Sequence, residues 1–264
     1  MTQPELEPLP DGVLDTLRKV STSTIATQLY KRGFRQPQLL GVQALSEVAD
    51  GFVGEAFTMR FIPMREDVDG LDPYRSGNTL QWEAFEALQP GQVLVVDSYR
   101  TSTAASGGDM LMTRAWKRGA AAVVTDGGLR DGDVLAKLPF PTYASQVTIT
   151  TRAAQHHVAD LNVPIGCAGV AVYPGDILIG DRDGVLVIPR HLAAEIAEQG
   201  YEQEQLEAFV STKIHAGEPL WGNYPPGDEL KAEYKASLAA AHDDRPDVRS
   251  IRGPQTDAEH VHLT

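Results

Sequence analysis

The sequence predicts an α/β fold built around a mixed sheet and finished by helices at its C-terminal end. Three observations carry this. QVLVV (92–96) and AAAVVT (120–125) are short apolar runs on either side of a helical segment, which makes a βαβ unit with parallel strands and a right-handed crossover. DILIGDRDGVLVIP (176–189) places two apolar runs around Asp-Gly and reads as an antiparallel hairpin. A sustained helical pattern then covers 192–213.

Taken in order, Met1 to Gly12 is polar and proline-rich and reads as a loose arm, assigned to 1–14. A helix is expected from near Asp15 (LDTLRKV). A second should run from Ser21–Thr24 through STIATQLYKRG and close at Gly33. The segment 52–61 (FVGEAFTMRF) alternates and reads as a strand, whereas 62–77 is a long polar loop of the kind often tied to function. A helix over 80–88 and a Pro90-Gly91 turn lead into the strand that ends at Asp97. The loop 98–108 precedes a helix over 109–118, with Leu111, Met112, Ala115 and Trp116 on one face and Gly119 closing it. Beyond Trp221 the chain is Pro/Gly-rich, then helical over 228–241, and the polar tail 242–264 is expected to be disordered. The division is therefore an arm, a main domain over 15–215, an extension over 216–241 and a tail.

Composition narrows the function. With 36 Asp and Glu against 23 Lys and Arg, the net charge of −13 argues against a nucleic-acid partner, which needs clustered cations. No apolar run reaches the length of a membrane span and no leader pattern opens the chain, so the expectation is no membrane partner and a cytoplasmic, reducing location. The single cysteine, Cys167, lies in PIGCAGVAV and reads as a small buried hydrophobe.

Two loops should meet. Those after 92–96 and 120–125 leave the carboxyl ends of neighbouring parallel strands, where open α/β sheets place ligands. Asp109 and Arg130-Asp131 are thereby expected to converge. Gly107-Gly108-Asp109 opens a helix whose first N–H groups suit a carboxylate or phosphate; the plain alternative is a helix start with Asp109 as its cap. Arg130 offers a bidentate fork for a carboxylate. Asp131 is a hard oxygen donor for a divalent cation and Asp133 a candidate to hold one of its waters; alternatively the pair merely stabilises a turn.

Other residues point elsewhere. His156-His157, on a helix, would face different directions, and His260 and His262 lie in the tail, so no histidine cage is expected. Neither G-x-S-x-G nor a dinucleotide or Walker glycine pattern occurs. Arg65, Glu66, Asp67 and Asp69 read as a solvated loop or an active-site rim, and Asp181 and Asp183 as hairpin residues.

The run GGDMLMTRAWKRGAAAVVTDGGLRD (107–131) resembles the signature of the 4-hydroxy-4-methyl-2-oxoglutarate aldolase / RraA-like family. The resemblance extends through VSTSTIATQLYKRG, EALQPGQVLVVDSY and PGDILIGDRDGVLVIP, from about Val20 to Tyr201, with 62–77 as an insertion. It implies a swivelling β/β/α-type domain assembled as homotrimers or dimers of trimers, with the site at a subunit boundary. It implies a pyruvate moiety held by Gly108, Asp109, Met110, Leu111 and Arg130, with Mg²⁺, Mn²⁺ or another divalent cation on Asp131. The implied activity is a class II aldolase acting on a 4-hydroxy-2-oxo acid, with Arg130 and Asp109 as its catalytic residues and oxaloacetate decarboxylation as a side activity. A non-catalytic regulator of a ribonuclease and a hydratase or dehydratase of sugar-derived 2-oxo acids are the alternatives. The chain departs from the pattern at Val134, where relatives often carry an acid. A glutamate from a neighbouring subunit, present in some relatives, would be Glu202 or Glu204.

Overall fold

The computed structural model describes residues 6–47, 51–69 and 79–240. Its strands are β1 (Gln43–Ala44), β2 (Phe52–Pro63), β3 (Gln92–Asp97), β4 (Ala122–Thr125), β5 (Gly128–Leu129), β6 (Thr142–Ala144), β7 (Gln146–Val147), β8 (His156–Leu161), β9 (Ile165–Cys167), β10 (Val170–Val172), β11 (Ile177–Asp181) and β12 (Gly184–Ile188). The helices are α1 (Val13–Leu17), α2 (Thr22–Lys31), α3 (Leu80–Ala87), α4 (Asp109–Lys117), α5 (Gly132–Leu135), α6 (Ala193–His215) and α7 (Asp228–Ala240).

The main sheet runs β1-β6-β4-β3-β2-β11-β12, with β8 also on β2. The parallel centre is the expected βαβ unit, with Val93–Val96 of β3 paired to Ala122–Thr125 of β4. The expected hairpin pairs Asp181 with Gly184 across its turn and adds antiparallel strands to the other side of β2. The ends of the order approach each other: Leu39 N–H donates to the Val185 carbonyl at 2.9 Å and Val187 N–H to that of Pro37 at 3.0 Å. The Tyr143 hydroxyl donates to the Asp181 carbonyl at 2.8 Å. The mixed sheet thus curls into a nearly closed barrel.

Strand alternation sorts the core into an interior and two outer layers. Val93, Val95, Val124, Leu178, Val185 and Val187 fill the barrel. Leu94, Val96 and Val123 face α3 and α4 through Phe85, Leu88, Met112 and Ala115, with half-buried Leu111 and Trp116 packed alongside. Ile177, Ile179, Leu186 and Ile188 face α1, α2 and α6. That both faces of these strands are covered explains why their sequences read as continuous apolar runs.

Several expectations are revised. The arm is docked from Leu6 onward, with the Glu7 carbonyl accepting from Arg190 Nε at 2.9 Å. The first helix begins at Val13, earlier than Asp15. His156 and His157 lie on β8 and not on a helix: His156 is fully buried and His157 turns outward to Asp69, Nδ1 to Oδ1 2.5 Å. Of the polar loop, Ile62-Pro63 belongs to β2; residues 64–69 form a turn, and Asp69 accepts from Arg65 N–H at 2.9 Å. The rest of that loop and the tail, with His260 and His262, lie outside the described residues.

The Asp181 carboxylate caps α2, accepting from Thr22 N–H (3.1 Å) and Thr22 Oγ1 (2.8 Å), and Asp183 accepts from Ser23 Oγ at 3.2 Å. Glu204 accepts from Ser21 N–H (2.9 Å) and Ser21 Oγ (2.6 Å) and is buried. It ties α2 to α6, and Glu202 is exposed. The C-terminal extension packs α7 on α6 through Phe209 and Tyr234 and through Lys213 and Glu233.

Candidate active site

Two loops from the carboxyl ends of β3 and β4 are zipped together to form the site. Ser106 N–H donates to the Gly128 carbonyl (2.7 Å) and Arg130 N–H to the Gly107 carbonyl (3.0 Å). Beneath them Ser98, Ser106 and Thr125 share hydroxyl hydrogen bonds of 2.6 to 3.2 Å. Gly127 is required there, because a Cβ on it would stand 2.4 Å from Ser106 Oγ. Asp126, buried below, accepts N–H bonds from Ser98 (2.7 Å), Arg100 (3.2 Å) and Ala168 (3.0 Å). Burial pushes its carboxyl above the ordinary range, against the pull of those three donors. Burial, with Asp126 beside it, also drives the Cys167 thiol well up, which makes it an inert hydrophobe as expected.

On this base the expected residues converge. Asp131 holds a left-handed conformation (φ 63°) that turns its carboxylate back toward α4, where Oδ2 accepts from Asp109 N–H at 3.2 Å. Gly108 permits the approach, since a Cβ on it would lie 2.5 Å from Asp131 Oδ2. Gly107, Gly108, Asp109, Met110, Leu111, Arg130 and Asp131 all line one cavity of about 300 Å³. Asp133 and Val134 are exposed on α5 and are not among its lining residues.

Two details differ from the sequence reading. The N-cap of α4 is Gly108 and not Asp109. The Met110 and Leu111 amides do not simply face outward: Met110 N–H donates to Asp109 Oδ1 at 2.7 Å and Leu111 N–H to the Gly108 carbonyl at 3.1 Å. A carboxylate of the chain itself thus sits on the first turn of α4.

Sequence reasoning missed Gln81, Trp82, Thr151 and Arg152, which complete the cavity wall. They come from α3 and from the loop before β8, and no local motif announces them. The Arg65–Asp69 acids do not line the cavity. Among the described residues no group of three or more His, Cys, Asp or Glu could hold a metal ion. A larger cleft, about 870 Å³, lies between the arm and Tyr173-Pro174. Its arginine, Arg190, is already engaged with Glu55 at 2.9 Å and two carbonyls, so the smaller cavity is the stronger chemical candidate. No helix among the described residues is long and apolar enough to cross a membrane.

Comparison with known proteins agrees with this fold. The chain is 31% identical over 182 residues to a Halalkalibacterium halodurans protein provisionally named a 4-hydroxy-4-methyl-2-oxoglutarate aldolase, covering 65% of this chain and 85% of that one. It is 35% identical over 112 residues to the Thermus thermophilus protein named for the same activity, covering 42% and 68% of the two chains. The solved structure of Streptomyces coelicolor RraAS2, described as an unusual member of the RNase ES inhibitor RraA family, superposes with a TM-score of 0.69. That match has 30% identity and covers 78% of this chain and 99% of that one. A family model described as RraA-like, Aldolase/RraA, matches residues 22–187, and the chain belongs to that family.

Proposed function

We propose that the chain is a divalent-metal-dependent lyase that cleaves a 4-hydroxy-2-oxo acid to pyruvate and a carbonyl product. Oxaloacetate decarboxylation would be a side activity. The observation that carries this reading is the meeting of Arg130, Asp131 and the first turn of α4 around one cavity. Likeness to proteins named as aldolases supports it.

The residues suit a hard cation. An ion caged by several side chains does not fit, because no such cluster exists among the described residues. Mg²⁺ does fit, since it takes one or two carboxylates and fills its other positions with water and substrate oxygens. Asp131 would hold it, and Mn²⁺ would serve by the same chemistry. When bound, the cation supplies Lewis-acid polarisation of the 2-keto group.

The chain's own residues do the rest. Arg130 grips the C1 carboxylate through two parallel hydrogen bonds. The Met110 amide joins it once the Asp109 carboxylate swings aside. Displaced in this way, Asp109 holds a water that takes the 4-hydroxyl proton. The C3–C4 electron pair then moves into a C2–C3 double bond as the C4 carbonyl forms, and negative charge gathers on the 2-keto oxygen near Arg130. Protonation at C3 gives pyruvate.

Assembly as a homotrimer or dimer of trimers belongs to the same proposal. The exposed apolar side chains of Met110, on the cavity wall, and of Val134, Val147 and Ile149 suit burial against another copy.

Pyruvate release from oxaloacetate and from 4-hydroxy-2-oxo acids, with Mg²⁺ and with EDTA, tests the reaction. Turnover that EDTA abolishes is expected, and absence of metal-dependent turnover on every 2-oxo acid tried overturns it. A ribonuclease regulator is the second reading, favoured by likeness to the Streptomyces protein. It predicts ribonuclease binding that persists in a variant lacking Asp131.

A further inference from the structure

We infer that Asp126 is a positioning residue. Its carboxylate clamps a strained turn at Tyr99-Arg100 to the tip of the β9–β10 hairpin, and the turn fixes the loop that carries Gly107, Gly108 and Asp109 to the ligand. Its effect on turnover rests on the lyase reading; its hold on the loop does not.

Asp126 is 2% exposed and does not line the cavity. Its carboxylate accepts from Ser98 and Arg100 N–H on the loop after β3 and from Ala168 N–H on the hairpin. Asp97, at the end of β3, repeats the pattern: Oδ1 accepts from Tyr99 N–H at 2.8 Å and Oδ2 from Gly166 N–H at 3.3 Å. The consecutive amides of 98–100 are thus shared between two carboxylates, each of which also holds the hairpin. Amides curled around an anion form a nest, and here the anion is the chain's own.

The backbone explains why a clamp is needed. Tyr99 (φ 43°), Arg100 (φ 59°) and Ala168 (φ 49°) all lie in the left-handed region, disfavoured for a residue with a Cβ. Such conformations persist only where the surroundings over-determine them. Gly169 (φ 85°) completes the fit, because a Cβ there would overlap the Arg100 guanidinium. An acid is kept at this place although burial, and then the neighbouring Asp97 charge, disfavour its ionisation. Farther along the same loop Ser106 and Gly107 bond to Gly128 and Arg130, so the clamp fixes one end of the loop and these bonds fix the other.

The experiment compares Asp126→Asn, Arg100→Val and Arg100→Gly in oxaloacetate turnover with Mg²⁺ and in hydrogen exchange over 98–109. Asparagine keeps the shape but turns an NH₂ group toward one of the three amides. Its KM should rise about tenfold or more with kcat within about threefold, since a displaced loop weakens the hold on the ligand. Loss of folded protein would instead lower kcat alone. Arg100 is exposed, so neither substitution there disturbs the core. Valine resists φ 59° and should raise KM about threefold or more, whereas glycine adopts it freely and should keep KM within about twofold. Arg100→Gly added to Asp126→Asn should recover part of the lost kcat/KM. Amides of 98–109 should exchange about tenfold or more faster in Asp126→Asn, with α6 unchanged. An unaltered KM in Asp126→Asn, equal KM in the two Arg100 variants, or no recovery in the double variant overturns the inference. If Asp126→Asn does not fold, the Arg100 pair decides. If the wild type turns over no 2-oxo acid, the lyase reading falls and exchange in the folded variants decides, with unaltered rates over 98–109 overturning the inference.

Discussion

Replacing one hydrogen atom at Gly108 should silence the site with the fold intact. The backbone there is extended (φ −144°, ψ −170°), so alanine meets no conformational penalty. The obstacle is local: the new Cβ would lie 2.5 Å from Asp131 Oδ2, and reaching even 3.0 Å displaces that oxygen by about 0.5 Å. The 3.2 Å bond from Asp109 N–H to that oxygen is lost in the process. Loss of a hydrogen bond costs roughly 0.5–1.5 kcal/mol, and reduced freedom of the unfolded chain returns about 0.4–1 kcal/mol, so the melting temperature should hardly move. Catalysis is less forgiving, because misplacing a reacting group by about 1 Å can cost roughly 10²-fold. The assay is kcat/KM for pyruvate release with a parallel Mg²⁺ titration and a thermal melt. Gly166→Ala serves as control, since a Cβ there meets nothing within 4 Å. A Gly108→Ala enzyme with kcat/KM and metal affinity within about twofold of wild type would refute the placement of Asp131 at the reacting centre.

The other predictions bear on single side chains. Asp131→Asn should abolish metal-dependent turnover at unchanged stability; asparagine tolerates the left-handed backbone at φ 63°, whereas alanine would add roughly 1 kcal/mol of strain. Arg130→Lys should lower kcat/KM by about tenfold or more, because an ammonium cannot reproduce the bidentate fork; near-normal kinetics would remove its role. Glu204→Ala should cost about 1–3 kcal/mol in denaturant melts through the orphaned Ser21 donors, with kcat unchanged, and lost activity at full stability would revive it as a site residue. His156 is fully buried, and burial holds its pKa below the ordinary 6.5. The unfolded chain therefore binds a proton first as pH falls, so stability present above about pH 6.5 should decline from there toward the depressed pKa. His156→Gln should flatten that decline between pH 7.5 and 5.5, and an identical slope would count against it.

Much of the fold was legible because its signals are local. QVLVV, the helix after Gly108 and AAAVVT specify a parallel pair, and the parallel pair alone places Asp109 beside Asp131. The rest required contacts that no window of sequence contains. Nothing in FVGEAFTMRF states that one strand will take β3, β11 and β8 as partners. The Met110 and Leu111 amides were expected to face a ligand, but Asp109 and the Gly108 carbonyl compete for them over a few atoms, a rivalry that spacing does not reveal. Arg152 and Gln81 sit about 70 residues apart and look like ordinary surface types; only folding makes one the anchor of the other. Glu204 lies on a polar helix whose buried side is set by α2.

The twelve residues of β2 have a consequence for synthesis of the chain. One flank pairs with β3, within about 40 residues, and is satisfied early. The other is divided: Phe52–Glu55 must wait for Gly180–Ile177, and Met59–Pro63 for Leu161–His156. A nascent chain that has finished its βαβ unit at Thr125 therefore carries an open, largely apolar strand edge on the ribosome until 156–161 and then 177–180 emerge. That interval, more than the stability of the finished barrel, is where misassembly with another copy should occur. Slowing elongation before residue 156 should lower soluble yield, and supplying the 156–188 segment early, by circular permutation, should raise it.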